Sequence, residues 1–121
     1  MAHLHQSGAP DTYTDIRNLK WSETEKAIAR KAFEHALQKE LQEVIQKTQR
    51  MAATIEHPSD LWELEGFLTR RRKEIDSKFD YRYSVLPDVF GELVREGRVY
   101  EEELRGLGED KLAYIRKFAK F

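Results

Sequence analysis

The chain has 121 residues, 36% of them charged, with no cysteine and a formal net charge of −1. That length accommodates one domain and not two. The missing thiols exclude a disulfide framework and a thiolate metal site, and the near-neutral balance gives no overall pull toward nucleic acid or anionic membrane. The charged fraction exceeds the roughly 25% of an ordinary globular chain. With helical periodicity, such an excess predicts elongated helices that expose much of their surface.

Residues 1–20 are polar and interrupted by Gly8 and Pro10, and read as a flexible arm. His3 and His5 lie in it; a pair without a fixed second shell is not a metal site. Ser22 and Glu25 then have the spacing of a capping box. Neither Pro nor Gly occurs from there to Ile55. Ile28, Phe33, Leu37, Leu41, Val44, Thr48, Met51 and Ile55 form a stripe at helical spacing, with Ala32, Ala36 and Ala52 beside it. His35, Lys39 and Glu40 read as an ordinary exposed face. A helix of this length is roughly 50 Å long. A compact chain of this size spans only about 26 Å, twice its expected radius of gyration, so a small C-terminal part cannot shelter the whole stripe. A two-fold helical dimer is expected, with Phe33, Leu37, Leu41, Val44, Leu61 and Leu68 at its interface. The stripe is not a strict heptad, which favours a globular helix–helix contact over a coiled coil.

Glu56-His57-Pro58 breaks the rod. Ser59 or Asp60 caps a second helix, with Glu63 three residues after Asp60. Its apolar face is Leu61, Leu64, Leu68, Ile75 and Phe79. Trp62 lies off that face, Gly66 follows one turn later, and Arg70, Arg71, Arg72 and Lys73 form a cationic run. Trp and Arg dominate interface hot spots, which makes this stretch the candidate binding surface; the plainer readings are a core or seam tryptophan and a solvated charged face. Three shorter helices follow. One runs from Ser84 to Glu96 with Pro87 in its first turn, one from Tyr100 to Arg105, and one starts at Glu109 or Asp110 and carries Leu112, Ile115 and Phe118 inward. The expected architecture is therefore all-α. It comprises the arm (1–20), a helical stalk that dimerises (21–80) and a small helical head (81–121).

The segment LRGLGEDKLAYIRK (104–117) has the shape of a helix-hairpin-helix, which grips phosphate with the amides after a glycine turn. Glu101, Glu102, Glu103, Glu109 and Asp110 oppose a phosphate there, so no nucleic-acid partner is expected. No nucleophile elbow, phosphate loop or zinc-type His-Glu motif occurs. Neither an enzyme nor a cofactor is predicted. No apolar run approaches the roughly 20 residues of a spanning helix, and no signal-peptide pattern opens the chain; a cytoplasmic location is the default.

The run DLWELEGFLTRRRKEIDSKFDYRYSVL (60–86), followed by VFGELVREG (89–97) and the hairpin segment, resembles the fluorescence recovery proteins of cyanobacteria from about Trp21 onward. A tryptophan ten residues before an arginine, then EID-x-K-aromatic-D-Y-R, is not a generic helix pattern. The resemblance implies an all-helical homodimer, or a tetramer, that is not an enzyme. Such a protein binds the red, active form of the orange carotenoid protein, speeds its return to the orange state and helps release it from the phycobilisome. Photoprotective quenching thereby ends, in the cytoplasm or at the cytoplasmic face of the thylakoid membrane. Trp62 and Arg72 match the functional tryptophan and arginine of the family; Glu65, Gly66 and Arg71 complete the expected partner-binding set. The chain departs from the pattern in two places. Glu65-Gly66 stands where a polar His-Asp pair is expected, with Glu65 a candidate to replace the missing aspartate as partner of the arginine. Asp88 stands where a large apolar residue is expected. The alternative reading is a divergent helical dimer with another protein partner.

Overall fold

A computed structural model describes residues 16–121; His3, His5 and most of the arm lie outside the described residues. The described chain is helical: α1 (Glu23–Ala53), α2 (Pro58–Lys78), α3 (Leu86–Arg95) and α4 (Glu109–Ala119), with single 3-10 turns at Ile16–Asn18 and Glu101–Leu104.

Helix α1 starts at the anticipated box. Glu25 N–H donates to Ser22 Oγ at 3.1 Å, and Ser22 N–H donates to Glu25 Oε1 at 2.9 Å. The start of α2 differs from expectation. It begins at Pro58, whose missing N–H costs nothing in a first turn, and Asp60 is not its cap. The Asp60 carboxylate instead accepts from the backbone amides of Glu56 and His57 at 3.0 and 3.1 Å, closing the turn between the two long helices. Helix α3 stops in a Schellman-type turn, in which Gly97 takes φ of 74° and Arg98 N–H donates to the Leu93 carbonyl at 2.8 Å.

Leu86, Phe90, Leu93, Val99, Leu104 and Ile115 are fully buried and form the centre of the head. The head packs on the first half of α1 through Ala29, Ala32, Phe33 and Ala36. The alanines let the head approach closely, while Phe33 meets Phe79 and Tyr81 edge-on at centroid distances of 5.4 and 4.7 Å. Phe33 is only 5% exposed within the chain, and Leu37 packs partly buried against the same core. These two residues, expected at a dimer seam, are therefore largely covered by the chain's own head. What the head leaves open is the second half of the stripe.

Two glycines in the head mark close approaches. A Cβ on Gly91 would lie 2.5 Å from Phe118 Cδ1 and 2.8 Å from Phe118 Cβ. The Cβ contact cannot be relieved by rotating the ring. Gly91→Ala is expected to separate α3 from α4 and to cost about 2–3 kcal/mol, the upper part of the overpacking range; urea unfolding measures it, and a cost under about 0.5 kcal/mol would contradict this packing.

The hairpin before α4 is tied to the start of α1. Gly108 N–H donates to Glu25 Oε2 at 2.6 Å, and the buried Lys111 ammonium lies 3.2 Å from the same carboxylate and 5.2 Å from the Trp21 ring centroid. Lys111 Nζ also donates to the Lys20 carbonyl. The amide that would meet a phosphate in a helix-hairpin-helix is thus occupied by an internal carboxylate. Burial raises the Glu25 pKa, but hydrogen bonds from Ser22, Gly108 and Lys111 together outweigh it and hold the group below its ordinary value. A depressed carboxylate stabilises the fold above the unfolded pKa of about 4.3, and that contribution is lost as pH falls through the lower folded value. Thermal unfolding of the native chain should therefore fall more steeply below about pH 4.3 than that of Glu25→Gln; parallel pH profiles would remove Glu25 as the cause.

Candidate partner-binding site

Helix α2 presents three different sides because its side chains rotate by about 100° per residue. One side buries Phe67, and Ile75, the other buried residue of the helix, continues the Leu61–Leu68 side toward its C-terminal end. The next carries Leu61 and Leu68, which are 46% and 40% exposed; Glu65 and Arg72 lie on this side by helical position. The third carries Trp62, 65% exposed, with Gly66, Thr69 and Lys73. Trp62 and Arg72 are thus about 80° apart around the axis and about 15 Å apart along it. They do not form one compact spot. Glu65 and Thr69 lie in the arc between them, and the apolar Leu61 and Leu68 lie beyond Arg72.

The side chains show why this surface is available. The Arg72 side chain is 85% exposed, and its nearest carboxylate, Asp76, is a distant 3.9 Å away. Glu65 does not pair with it; the Glu65 carboxylate accepts from Thr69 Oγ1 at 2.9 Å. The expectation that Glu65 replaces the missing aspartate therefore does not hold within the chain. At Gly66, the space that a side chain would start to fill is bordered by the Arg70 guanidinium, 3.6 Å from the position of a Cβ.

Arg71 differs from its neighbours in turning toward α1. Its Nη2 is 2.7 Å from Glu40 Oε2 and its Nη1 is 2.6 Å from Glu74. Glu40 is 1% exposed. Its other oxygen lies 2.7 Å from Lys78 Nζ and 3.1 Å from Arg98 Nε, as ion-pair contacts and not as aligned hydrogen bonds. One carboxylate on α1 thereby meets two cations on α2 and one just past α3. The outer layer is acidic: Glu43 takes both guanidinium nitrogens of Arg98 at 2.9 and 3.1 Å, and Glu96 takes Lys78 at 2.8 Å and Arg98 at 3.0 Å. Hydrogen bonding to Glu40 raises the Arg71 pKa, and hydrogen bonding to Glu43 raises that of Arg98. The exposed face predicted at Glu40 is thus overturned. A signal was present, since Glu40 follows Phe33 by seven residues and Ala36 by four, which places it on the buried stripe.

Helix α1 also carries apolar residues that the chain leaves incompletely covered. Leu41, Val44, Thr48 and Met51 are half-buried, and Ile45 is exposed. On the head, Asp88 is likewise engaged: Tyr114 O–H donates to Asp88 Oδ1 at 2.5 Å, and burial with this carboxylate pushes the Tyr114 pKa up to about 12. Among the described residues, no group of three or more His, Cys, Asp or Glu side chains is placed to hold a metal ion, and no helix is long and apolar enough to cross a membrane.

Comparison with known proteins agrees with this architecture. Residues 21–119 match the family described as photoprotection regulator fluorescence recovery protein. The fluorescence recovery protein of Synechocystis sp. strain PCC 6803 is 41% identical over 100 residues, which is 83% of this chain and 92% of that protein. The solved fluorescence recovery protein of Fremyella diplosiphon superposes with a TM-score of 0.80 at 39% identity, over 84% of this chain and 100% of that one. The solved Synechocystis protein gives a TM-score of 0.80 at 40% identity with the same coverage. With its helix order, its head packing and the matched stretch covering both long helices, the chain belongs to the fluorescence recovery protein family of photoprotection regulators.

Proposed function

We propose that this protein binds the red, photoactivated form of the orange carotenoid protein as a homodimer in the cytoplasm, accelerates its return to the orange state and promotes its release from the phycobilisome. Besides family membership, the observation that carries this reading is the exposed Trp62–Arg72 surface on α2, which the chain's own head does not cover. An accelerator of domain re-closure must bind the closing transition state better than the open state. A two-fold scaffold does so by holding two segments of one partner near each other and raising their effective concentration. Trp62 supplies an apolar anchor and Arg72 a charged contact. The incompletely buried apolar residues Leu41, Val44, Leu61 and Leu68 serve the second copy. Such a complex reaches the cytoplasmic face of the thylakoid through its partner, without inserting into the membrane.

The test is the dark recovery rate of photoactivated carotenoid protein. The native protein is expected to accelerate it; Trp62→Ala and Arg72→Glu are each expected to lose about tenfold or more, since truncated hot-spot residues cost about 2 kcal/mol or more. Size-exclusion chromatography of Arg72→Glu separates lost binding from lost dimerisation. No acceleration by the native chain would remove the function, and undiminished acceleration by both variants would remove the site. One observation favours a second reading, a family member with a different protein partner. Gly66, beside the Arg70 guanidinium, provides no carboxylate on the Trp62 side of α2, and the head bears the hydrogen-bonded Asp88–Tyr114 pair where an apolar contact residue is expected. Co-elution with the red form, and not the orange form, decides between the two.

A further inference from the structure

Between α1 and α2 lies an open groove of about 400 Å³. Phe67, buried against α1, and Val44 line it, and Glu43, Lys47, Arg50 and Arg71 are its charged residues. The four charges are not equivalent. Arg71 is engaged by Glu40 and Glu74, and Glu43 by both guanidinium nitrogens of Arg98. Among the described residues, Lys47 and Arg50 have no carboxylate within ion-pair distance. Lys47 is held 5.2 Å from the Phe67 ring centroid, a cation–π contact that orients its ammonium without neutralising it. Lys47 and Arg50 are three residues apart and therefore neighbours on α1. Two unneutralised cations stand beside an apolar wall in a chain of net charge −1.

We infer that this groove seats a carboxylate of an acidic protein segment, with Lys47 and Arg50 contacting the carboxylate and the edge of Phe67 forming the floor beneath it. Charge complementarity selects the occupant. Two cations on one short groove match one or two carboxylates on a protein, whereas a nucleic-acid backbone requires a longer track of phosphate contacts. The identity of the protein that carries the segment rests on the reading above. The groove then forms a second point of attachment, on a different side of α2 from Trp62 and Arg72. Its charges add mainly to encounter rate and orientation.

The experiment has two arms. In the first, the full chain is titrated with poly-L-glutamate, with inorganic phosphate at matched ionic strength as control, and the backbone amides are followed by NMR. Saturable shifts at Lys47, Arg50 and Phe67 are expected with the polymer and not with phosphate. They should vanish in the double variants Lys47→Glu/Arg50→Glu and Lys47→Gln/Arg50→Gln, the second of which removes charge without introducing repulsion. Absence of the shifts, equal shifts with phosphate, or their persistence in both variants overturns the inference. In the second arm, affinity for the red carotenoid protein is measured. The glutamine double variant is expected to bind about tenfold more weakly than the native chain, the loss of roughly 1.4 kcal/mol of charged contacts. Equal binding overturns the inference, whereas failure of the native chain itself to bind overturns the partner assignment and leaves the first arm to decide the groove.

Discussion

Glu40→Ala is expected to lower the free energy of unfolding by about 3 kcal/mol, the low end of the range for breaking a buried ion pair. The carboxylate is 1% exposed and lies within 2.7 to 3.1 Å of Arg71, Lys78 and Arg98. Removing it leaves three cations around a site with no internal counter-charge. The loss stays near the low end because each cation keeps an outer partner, Glu74 at 2.6 Å for Arg71, Glu96 at 2.8 Å for Lys78 and Glu43 at 2.9 Å for Arg98, and because their side chains retain about a fifth of their exposure to water. Glu40→Gln preserves shape and one acceptor, so it should lose less than alanine but more than a surface change of about 0.5 kcal/mol. Urea midpoints at one fixed protein concentration measure both, since association couples to apparent stability. A loss below about 1 kcal/mol for alanine would mean that the outer carboxylates take over the cations and that Glu40 is not the centre of the cluster.

The same cluster sets how α2 sits relative to the head. Helix α2 buries only Phe67 and Ile75, so its attachment to α1 depends on few apolar contacts and much on these charges. Arg98 reaches the cluster from the turn after α3, which links the angle of the exposed Trp62–Arg72 surface to the position of the head. Loss of Glu40 should accordingly disturb partner binding as well as stability, although no atom of Glu40 is at the proposed surface.

Local signals made most of the fold legible. The Ser22/Glu25 box, the uninterrupted stripe to Ile55, Pro58 and Gly97 located the helices to within a few residues, because capping and periodicity act over one or two turns. The sequence could not show how the stripe is divided. Phe33 and Leu37 look the same as Leu41 and Val44 in periodicity, yet the first two meet the head and the last two do not, a distinction that depends on where residues more than forty positions away return. Arg71 and Arg72 are adjacent and chemically identical. Only the rotation of about 100° between them, combined with the position of α1, sends one to Glu40 and the other to solvent. Spacing puts Glu40 on the buried stripe, but which cations neutralise it, and that Lys111 is buried against Glu25, depend on segments distant in the chain.

Leu61→Glu is expected to convert a dimer into a folded monomer. Leu61 is 46% exposed in the single chain and shares one side of α2 with Leu68, two turns on. Within one chain the substitution replaces a half-exposed side chain, so its cost should stay within about 1 kcal/mol and helical content should be unchanged. In the proposed two-fold interface it is different. An unpaired carboxylate costs at least about 2 kcal/mol to desolvate, and symmetry introduces two of them. Association should weaken about a thousandfold, from about 4 kcal/mol in total. Static light scattering across a dilution series reads this directly, with Phe121→Glu, an exposed apolar position at the end of α4's chain, as a surface control that should scatter like the native protein. If Leu61→Glu keeps the native mass at every dilution, the strip formed by Leu61, Leu68 and Val44 is not where two copies meet. If the native chain is itself a well-folded monomer, the two-armed scaffold on which accelerated re-closure depends is absent, whatever Trp62 and Arg72 contact.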